Sequence, residues 1–353
     1  MKVLVVDDSS VFRTQIKAAL RKSKIDVVGA AQNGKQALQI IENIEEIDLL
    51  ILDLDMPEMD GWDTIRQIKK KNLNIKILVY AGRSARTNNA SFEIMKMGAH
   101  DFVMKPDGYV KNLEEGIQSI IDTLVPKVIQ FDPSSTSGPI VEKQSAPNSS
   151  FEKINLETFL PEIIVIGCST GGPLTLQAIL KNLPTLTIPI LLVQHIPDNF
   201  TSHLAKLINE ISGHETRIAR DEEIISNGKI YVAPGGMHME ISQSNKARCI
   251  KTTKSPKRNS VRPSVDQLFE SAAEIYGQGV MGFVLTGMGR DGLAGSRAIK
   301  RHGGAVMIQD KETSTIWGMP GSVFESGAYD AIGTVGECRK NIVSFLNRAR
   351  EIG

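Results

Sequence analysis

The sequence predicts two α/β domains. The first is a five-stranded, doubly wound parallel sheet; a linker joins it to a second doubly wound, mostly parallel sheet carrying an added antiparallel hairpin. Three observations predict this. Short apolar runs alternate with segments whose apolar residues recur at three- and four-residue spacing, the pattern of parallel βαβ units. At 353 residues the chain is long for one core. From about residue 125 to 157 the alternation lapses into stretches such as Asp132-Pro-Ser-Ser-Thr-Ser-Gly-Pro139, which build no core.

Taken in order, Val3–Val6, Val27–Ala31, Leu49–Leu52, Ile77–Tyr80 and Asp101–Met104 read as the strands of a first domain over residues 1–124. Phe12, Ile16, Ala19 and Leu20 form the apolar face of its first helix. The linker takes residues 125–157, and a second domain takes 158–353. There Glu162–Gly167, Ile188–Gln194 and Val280–Thr286 read as buried strands. Pro173 opens a helix whose apolar face is expected to include Leu174, Ala178 and Ile179 or Leu180. The hairpin is expected from Lys229–Ile241 and Ala247–Thr252.

Net charge is only +1, with both signs interspersed, so there is no electrostatic footprint for nucleic acid or a membrane surface. The basic run Lys246, Arg248, Lys251, Lys254, Lys257, Arg258 and Arg262 reads as a solvated hairpin or loop, with docking to an acidic protein surface as the alternative. Cys168, Cys249 and Cys338 are too few and too far apart for a disulfide framework or a zinc site. The chain begins directly with a strand, shows no signal-peptide pattern, and has no apolar run long enough to cross a bilayer. A cytoplasmic location, without membrane insertion, is the expectation.

Chemistry-bearing residues gather at strand ends. Asp7 and Asp8 follow the first strand, Asp53 the third and Lys105 the fifth, and in a doubly wound sheet these ends share one edge. Carboxylates crowded there repel one another unless a divalent cation holds them, and magnesium suits such an oxygen-rich site. An ionised aspartate flanked by that cation and a lysine can attack a phosphoryl group.

In the second domain Ser169, His195 and Asp291 each lie just past a buried strand. Gly167-Cys-Ser-Thr-Gly171 fits the strand–turn–helix of a nucleophile elbow, with the helix N-terminus beside the hydroxyl. His195 would be the general base and Asp291 the group that orients it. Singly, the glycine-rich turn could cradle phosphate, His195 could be an ordinary strand-end histidine, and Asp291 a helix cap. Their joint placement favours a triad. Cys168 is the rival nucleophile, though its side chain should point away from its neighbour's. The chain order Ser, His, Asp disfavours the α/β-hydrolase class, which runs Ser, acid, His.

Two resemblances complete the reading. Asp7-Asp8, Leu52-Asp53-Leu-Asp-Met-Pro57 with Met59-Asp60-Gly61, and Phe102-Val-Met-Lys105-Pro106 resemble the receiver domain of two-component response regulators. That implies Asp53 as phospho-acceptor and Asp8 as a direct magnesium ligand. Asp7 would bind through water, the Asp55 backbone carbonyl would complete the site, and Lys105 would pair with the phosphoryl group. Phe102 falls where receivers carry a switch aromatic. Tyr80 stands where they carry Ser or Thr, which leaves the coupling route open.

Gly167-Cys-Ser-Thr-Gly-Gly172, Gln194-His-Ile-Pro197, Val232-Ala-Pro-Gly235, Arg262-Pro-Ser-Val-Asp-Gln-Leu-Phe269, Leu285-Thr-Gly-Met-Gly-Arg-Asp-Gly292 and Trp317-Gly-Met-Pro320 resemble the chemotaxis protein-glutamate methylesterases. The resemblance implies hydrolysis of glutamate γ-methyl esters, and deamidation of certain glutamines, on the cytoplasmic helices of chemoreceptors. It also implies a chemotaxis-type histidine kinase as phosphodonor and no cofactor for the esterase. Ser169, His195 and Asp291 carry the triad, with Thr170 and the Met288 backbone bordering the oxyanion. Leu293 and Leu207 depart from the family pattern and are expected to alter which receptor surface is accepted. A DNA-binding output and a catalytically silent adaptor are the rival classes; the second domain lacks a compact helix-turn-helix and a basic face.

Overall fold

The computed structural model describes residues 1–44, 46–82, 93–95, 97–106, 112–132, 151–196, 198–244 and 247–352. The heart of the expected linker (133–150), Pro197 and Lys246 lie outside them. The chain forms two compact units, Met1–Gly138 and Pro139–Gly353.

The first unit holds strands β1 (Lys2–Val6), β2 (Asp26–Ala31), β3 (Leu49–Leu52), β4 (Lys76–Ala81) and β5 (Asp101–Met104) in the order β2-β1-β3-β4-β5. All pair in parallel. Helices α1 (Ser10–Lys22), α2 (Gly34–Asn43), α3 (Gly61–Lys70) and α4 (Leu113–Thr123) alternate with them. Capping side chains start these helices: Asn33, Asp60 and Asn112 each accept from the backbone N–H three residues on. Because Val6 pairs with Leu52, Asp7 and Asp53 leave the sheet at one level, and because Val79 pairs with both Leu52 and Phe102, Lys105 follows β5 two residues further along the same edge.

Both ends of the segment expected as linker are folded. Pro126 cannot continue α4, yet it suits the first turn of a new helix, α5 (Val125–Gln130), which buries Val125 and Val128. At the other end Phe151 packs on the core of the second unit, and the backbone N–H of Ile154 donates to Asp330.

The second unit is a seven-stranded, wholly parallel sheet in the order β14-β13-β12-β6-β7-β9-β8. Its strands are β6 (Ile163–Cys168), β7 (Ile190–Gln194), β8 (Glu215–Ile218), β9 (Lys229–Val232), β12 (Val280–Val284), β13 (Ala305–Gln309) and β14 (Ala331–Gly333). The helices are α6 (Gly172–Leu180), α7 (Asp198–Ser212), α8 (Val265–Tyr276), α9 (Leu293–Arg301), α10 (Met319–Ser326) and α11 (Val335–Ile352). Helix α6 adjoins both α7 and α11, and α8 packs against α9. The hairpin is β10 (His238–Ser244) with β11 (Ala247–Thr253), a separate two-stranded sheet that adjoins α8.

This corrects two expectations. Lys229–Val232 belongs to the main sheet, because Pro234-Gly-Gly breaks the run before the hairpin begins at His238. Helix α6 buries Leu176, Ile179 and Leu180, whereas Ala178 is exposed and Leu174 half-buried. The expected basic patch is also largely consumed internally. Arg248 pairs with Glu162 and covers the Tyr276 ring, Lys251 faces Glu240, Arg258 pairs with Glu270, and Arg262 donates to the carbonyls of Lys254 and Ser255. Among the described residues no helix is long and apolar enough to cross a membrane.

Candidate active site

Strand register builds the second unit's site. Cys168 pairs with Gln194, so Ser169 and His195 are the next residues on two adjacent strands, and the His195 N–H donates to the Cys168 carbonyl at 3.1 Å. On the other side Val284 pairs with Gly167, and the Ser169 N–H donates to Thr286 O at 2.9 Å. The Ser169 carbonyl accepts from Gly172 N and from Gln194 Nε2, which fixes the turn into α6. That turn needs Gly171 at φ +80°, where a Cβ would lie 2.3 Å from Thr315 Oγ1. Gly287 lets the β12 loop reach Ser169; a Cβ there would sit 2.7 Å from the Ser169 Cβ.

His195 Nε2 lies 2.8 Å from Asp291 Oδ2, with Asp291 nearly inaccessible. Asp291 Oδ2 also accepts from Val265 N at 2.6 Å. Its Oδ1 accepts from Ser264 Oγ at 2.7 Å, Asn259 Nδ2 at 3.0 Å and Asp266 N at 3.1 Å. Burial alone would raise this carboxyl, but the His195 partner and these donors outweigh it and hold it at about 2. Cys168 is fully buried, its thiol 3.0 Å from Gln194 Oε1, and burial pushes its pKa up. That environment is wrong for a thiolate nucleophile. Thr170 is buried, with its carbonyl accepting from Thr286 Oγ1, whereas Met288 is exposed beside Gly287.

In the first unit Lys105 Nζ reaches Asp53 Oδ2 at 2.6 Å and lies 2.8 Å from Asp7 Oδ2. Both contacts are buried ion pairs. Burial raises Asp53 to about 6, offset in part by Lys105. Burial would lower Lys105, but Asp53 and Asp7 outweigh it and raise its pKa. Carboxylate oxygens of Asp7, Asp8 and Asp53 lie within 4.8 Å of one another. Asp55, just past β3, is exposed. Phe102, on β5, is half-buried against the core, and Tyr80 is almost fully buried on β4.

The CheB methylesterase family profile matches residues 164–342, and the response regulator receiver domain matches residues 3–115. A protein-glutamate methylesterase/protein-glutamine glutaminase of Trichodesmium erythraeum is 36% identical, over 97% of this chain and 98% of its own. One of Archaeoglobus fulgidus is 35% identical over 98% of each. The chain belongs to the CheB methylesterase family. A solved structure of a CheB methylesterase catalytic domain, from Thermotoga maritima, is 38% identical with a TM-score of 0.50; it covers 55% of this chain and 99% of that one. The protein is thus a receiver-linked methylesterase, a hydrolase of the chemotaxis response-regulator type.

Several residues of this methylesterase site escape sequence reasoning. Asn259 Nδ2 bridges Asp291 Oδ1 and Asp266 Oδ2 at 3.0 and 2.9 Å, and Asp266 Oδ1 accepts from Gly292 N and Gly295 N at the start of α9. Burial, with the Asp291 charge alongside, raises Asp266 to about 6. Gln309 Oε1 accepts from Thr286 N and so braces the loop beside Ser169. Asn259 at φ +50° in a loop gives no periodic signal; its αL-tolerant residue type is the only clue. Leu207 and Leu293, the two departures from the family pattern, are both buried, and Leu293 borders a cleft at the start of α9.

Proposed function

We propose that this methylesterase hydrolyses glutamate γ-methyl esters on the cytoplasmic helices of chemoreceptors through Ser169, His195 and Asp291, and deamidates specific glutamines there by the same route. The reading is carried by one observation: Ser169 and a His195–Asp291 pair leave adjacent parallel strands at one sheet edge. Ser169 Oγ attacks the ester carbonyl carbon as its proton passes to His195. With Nε2 engaged by Asp291, Nδ1 is the ring nitrogen left to take it. The tetrahedral oxyanion lies toward the Thr170 and Met288 backbone and the α6 N-terminus. Its collapse breaks the C–O bond, and the leaving methoxide takes the proton from His195 to become methanol; a glutamine substrate releases ammonia instead. Water, deprotonated by His195, then cleaves the acyl-serine to give the glutamate carboxylate and restore Ser169. Asp291 stays ionised throughout and stabilises the imidazolium.

In the receiver, Asp53 is the phospho-acceptor, supplied by a chemotaxis-type histidine kinase. An excess of carboxylate, from Asp7, Asp8 and Asp53, over the single Lys105 charge fits a divalent cation. Asp7, Asp8, Asp53 and the Asp55 carbonyl would hold magnesium, which when bound neutralises charge on the phosphoryl group. Lys105 then pairs with that group, and Tyr80 and Phe102 occupy the coupling positions. We assign the protein to the cytoplasm, with a receiver built on residues 1–124, a catalytic domain built on 158–353 and a linker between them that the folded segments 125–132 and 151–157 shorten at each end, and no nucleic-acid partner. The test is methanol release from methylated receptor membranes, with and without a small phosphodonor. The phosphodonor should raise the wild-type rate and leave Asp53→Asn unchanged; a wild type indifferent to it would refute phosphorylation control.

A further inference from the structure

Next to the triad, α9 and the turn before it bear arginines with no role in the chemistry above. Arg290, Arg297 and Arg301, with Asn259, Asp266, Leu293 and Ala294, line a cleft of about 510 Å³. Positions 294, 297 and 301 are spaced i, i+3, i+7, so they share one face of α9, and Arg290 precedes the helix, next to Asp291 in the chain. Arg290 and Arg301 are exposed and Arg297 half-buried. Among the described residues none of the three has a carboxylate within 4.0 Å. The hairpin region behaves differently: Arg248, Lys251 and Arg258 all have acidic partners in the same unit. Three cations in a row beside a reactive centre, left without internal partners, offer complementary charge to a ligand that supplies the carboxylates.

We infer that this stripe docks an acidic helical segment of the protein substrate, seating unesterified glutamates on Arg297 and Arg301 while a neighbouring side chain enters the Ser169 site. The inference rests on the proposed function, which makes the substrate a glutamate-bearing helix. Carboxylates one turn apart on such a helix match arginines one turn apart on α9. Guanidinium forks suit carboxylates in two-point contact.

The test uses the full chain with phosphodonor, on membranes carrying methylated chemoreceptor, and compares wild type, R297A/R301A and R297K/R301K over a salt series. Hydrolysis of p-nitrophenyl acetate, with Ser169→Ala as blank, monitors the triad independently. The double alanine variant should raise KM for receptor about tenfold, with kcat and small-ester hydrolysis unchanged and a shallower salt dependence. The lysine variant should recover part of the loss. An unchanged receptor KM in R297A/R301A overturns docking while leaving the esterase reading intact. A raised rate without phosphodonor, at unchanged KM, would assign the stripe to a partner within this chain and equally overturn it. Ser169-independent methanol release would bring down the functional reading first, and the docking inference with it.

Discussion

At the scale of residues, the acid of the site is defined by its neighbours. Asp291 takes five hydrogen bonds, four from the Asn259–Asp266 segment and one from His195. The same segment supplies a second carboxylate, Asp266, shielded from water and tied to Asp291 through Asn259. The two acids have opposite linkage. Asp291 is held at about 2, so its contribution to stability is present above its ordinary value near 3.8 and lost as pH falls toward 2. Asp266 is raised to about 6, so stability present below pH 3.8 is lost as pH climbs through 6. Asp266→Asn keeps an acceptor for the α9 N–H groups and removes the charge. Its melting temperature relative to wild type should therefore improve between pH 4 and pH 7, by about 2–4 °C for each kcal/mol relieved. A difference that is flat across that range would show that Asp266 is not ionising against Asp291. Asp291 itself was legible as a residue at a strand end, but its donors were not. They come from a loop some thirty residues earlier, and no local pattern announces a contact at that distance.

Among elements, the strand ends carry the site and were the most readable part of the chain. Leu49–Leu52 and Asp101–Met104 are continuous apolar or β-favouring runs bounded by polar residues, and the observed strands have those limits. The α6 face was less readable, because a helix apolar nearly all round leaves its stripe to be chosen by tertiary packing. The elbow is the element on which the chemistry depends. Gly171 combines a left-handed backbone with a Cβ position already filled by Thr315. Gly171→Ala should cost about 1–3 kcal/mol in denaturant unfolding and reduce methanol release more than the stability loss alone explains, since the turn sets Ser169. Wild-type stability and rate in that variant would remove the strained turn from the account.

Across the whole molecule, boundaries were where sequence composition misled. Residues 151–157 look like linker, yet Asp330 binds them into the catalytic unit. Its Oδ1 accepts from Lys300 Nζ at 2.5 Å and Ile154 N at 2.7 Å, its Oδ2 from Val306 N at 2.7 Å, and Lys300 also donates to Glu152 O. Both side chains of the pair are almost completely buried. Asp330→Ala would strand the Lys300 charge, so chemical denaturation should show a loss of about 3–5 kcal/mol for the catalytic unit, with receiver phosphorylation unaffected. A loss under 1 kcal/mol would mean this pair is not a structural anchor. The two sheets, by contrast, were legible because parallel alternation persists wherever both faces are covered. The chemistry rests on neither sheet as such but on the alcohol at the edge of one of them. Peptide mass spectrometry after brief exposure to a fluorophosphonate tests it most directly. The account predicts a single phosphonyl adduct on the peptide containing Ser169, absent from Ser169→Ala and strongly slowed in His195→Gln. An adduct on another residue, or labelling that is as fast without His195, would contradict it.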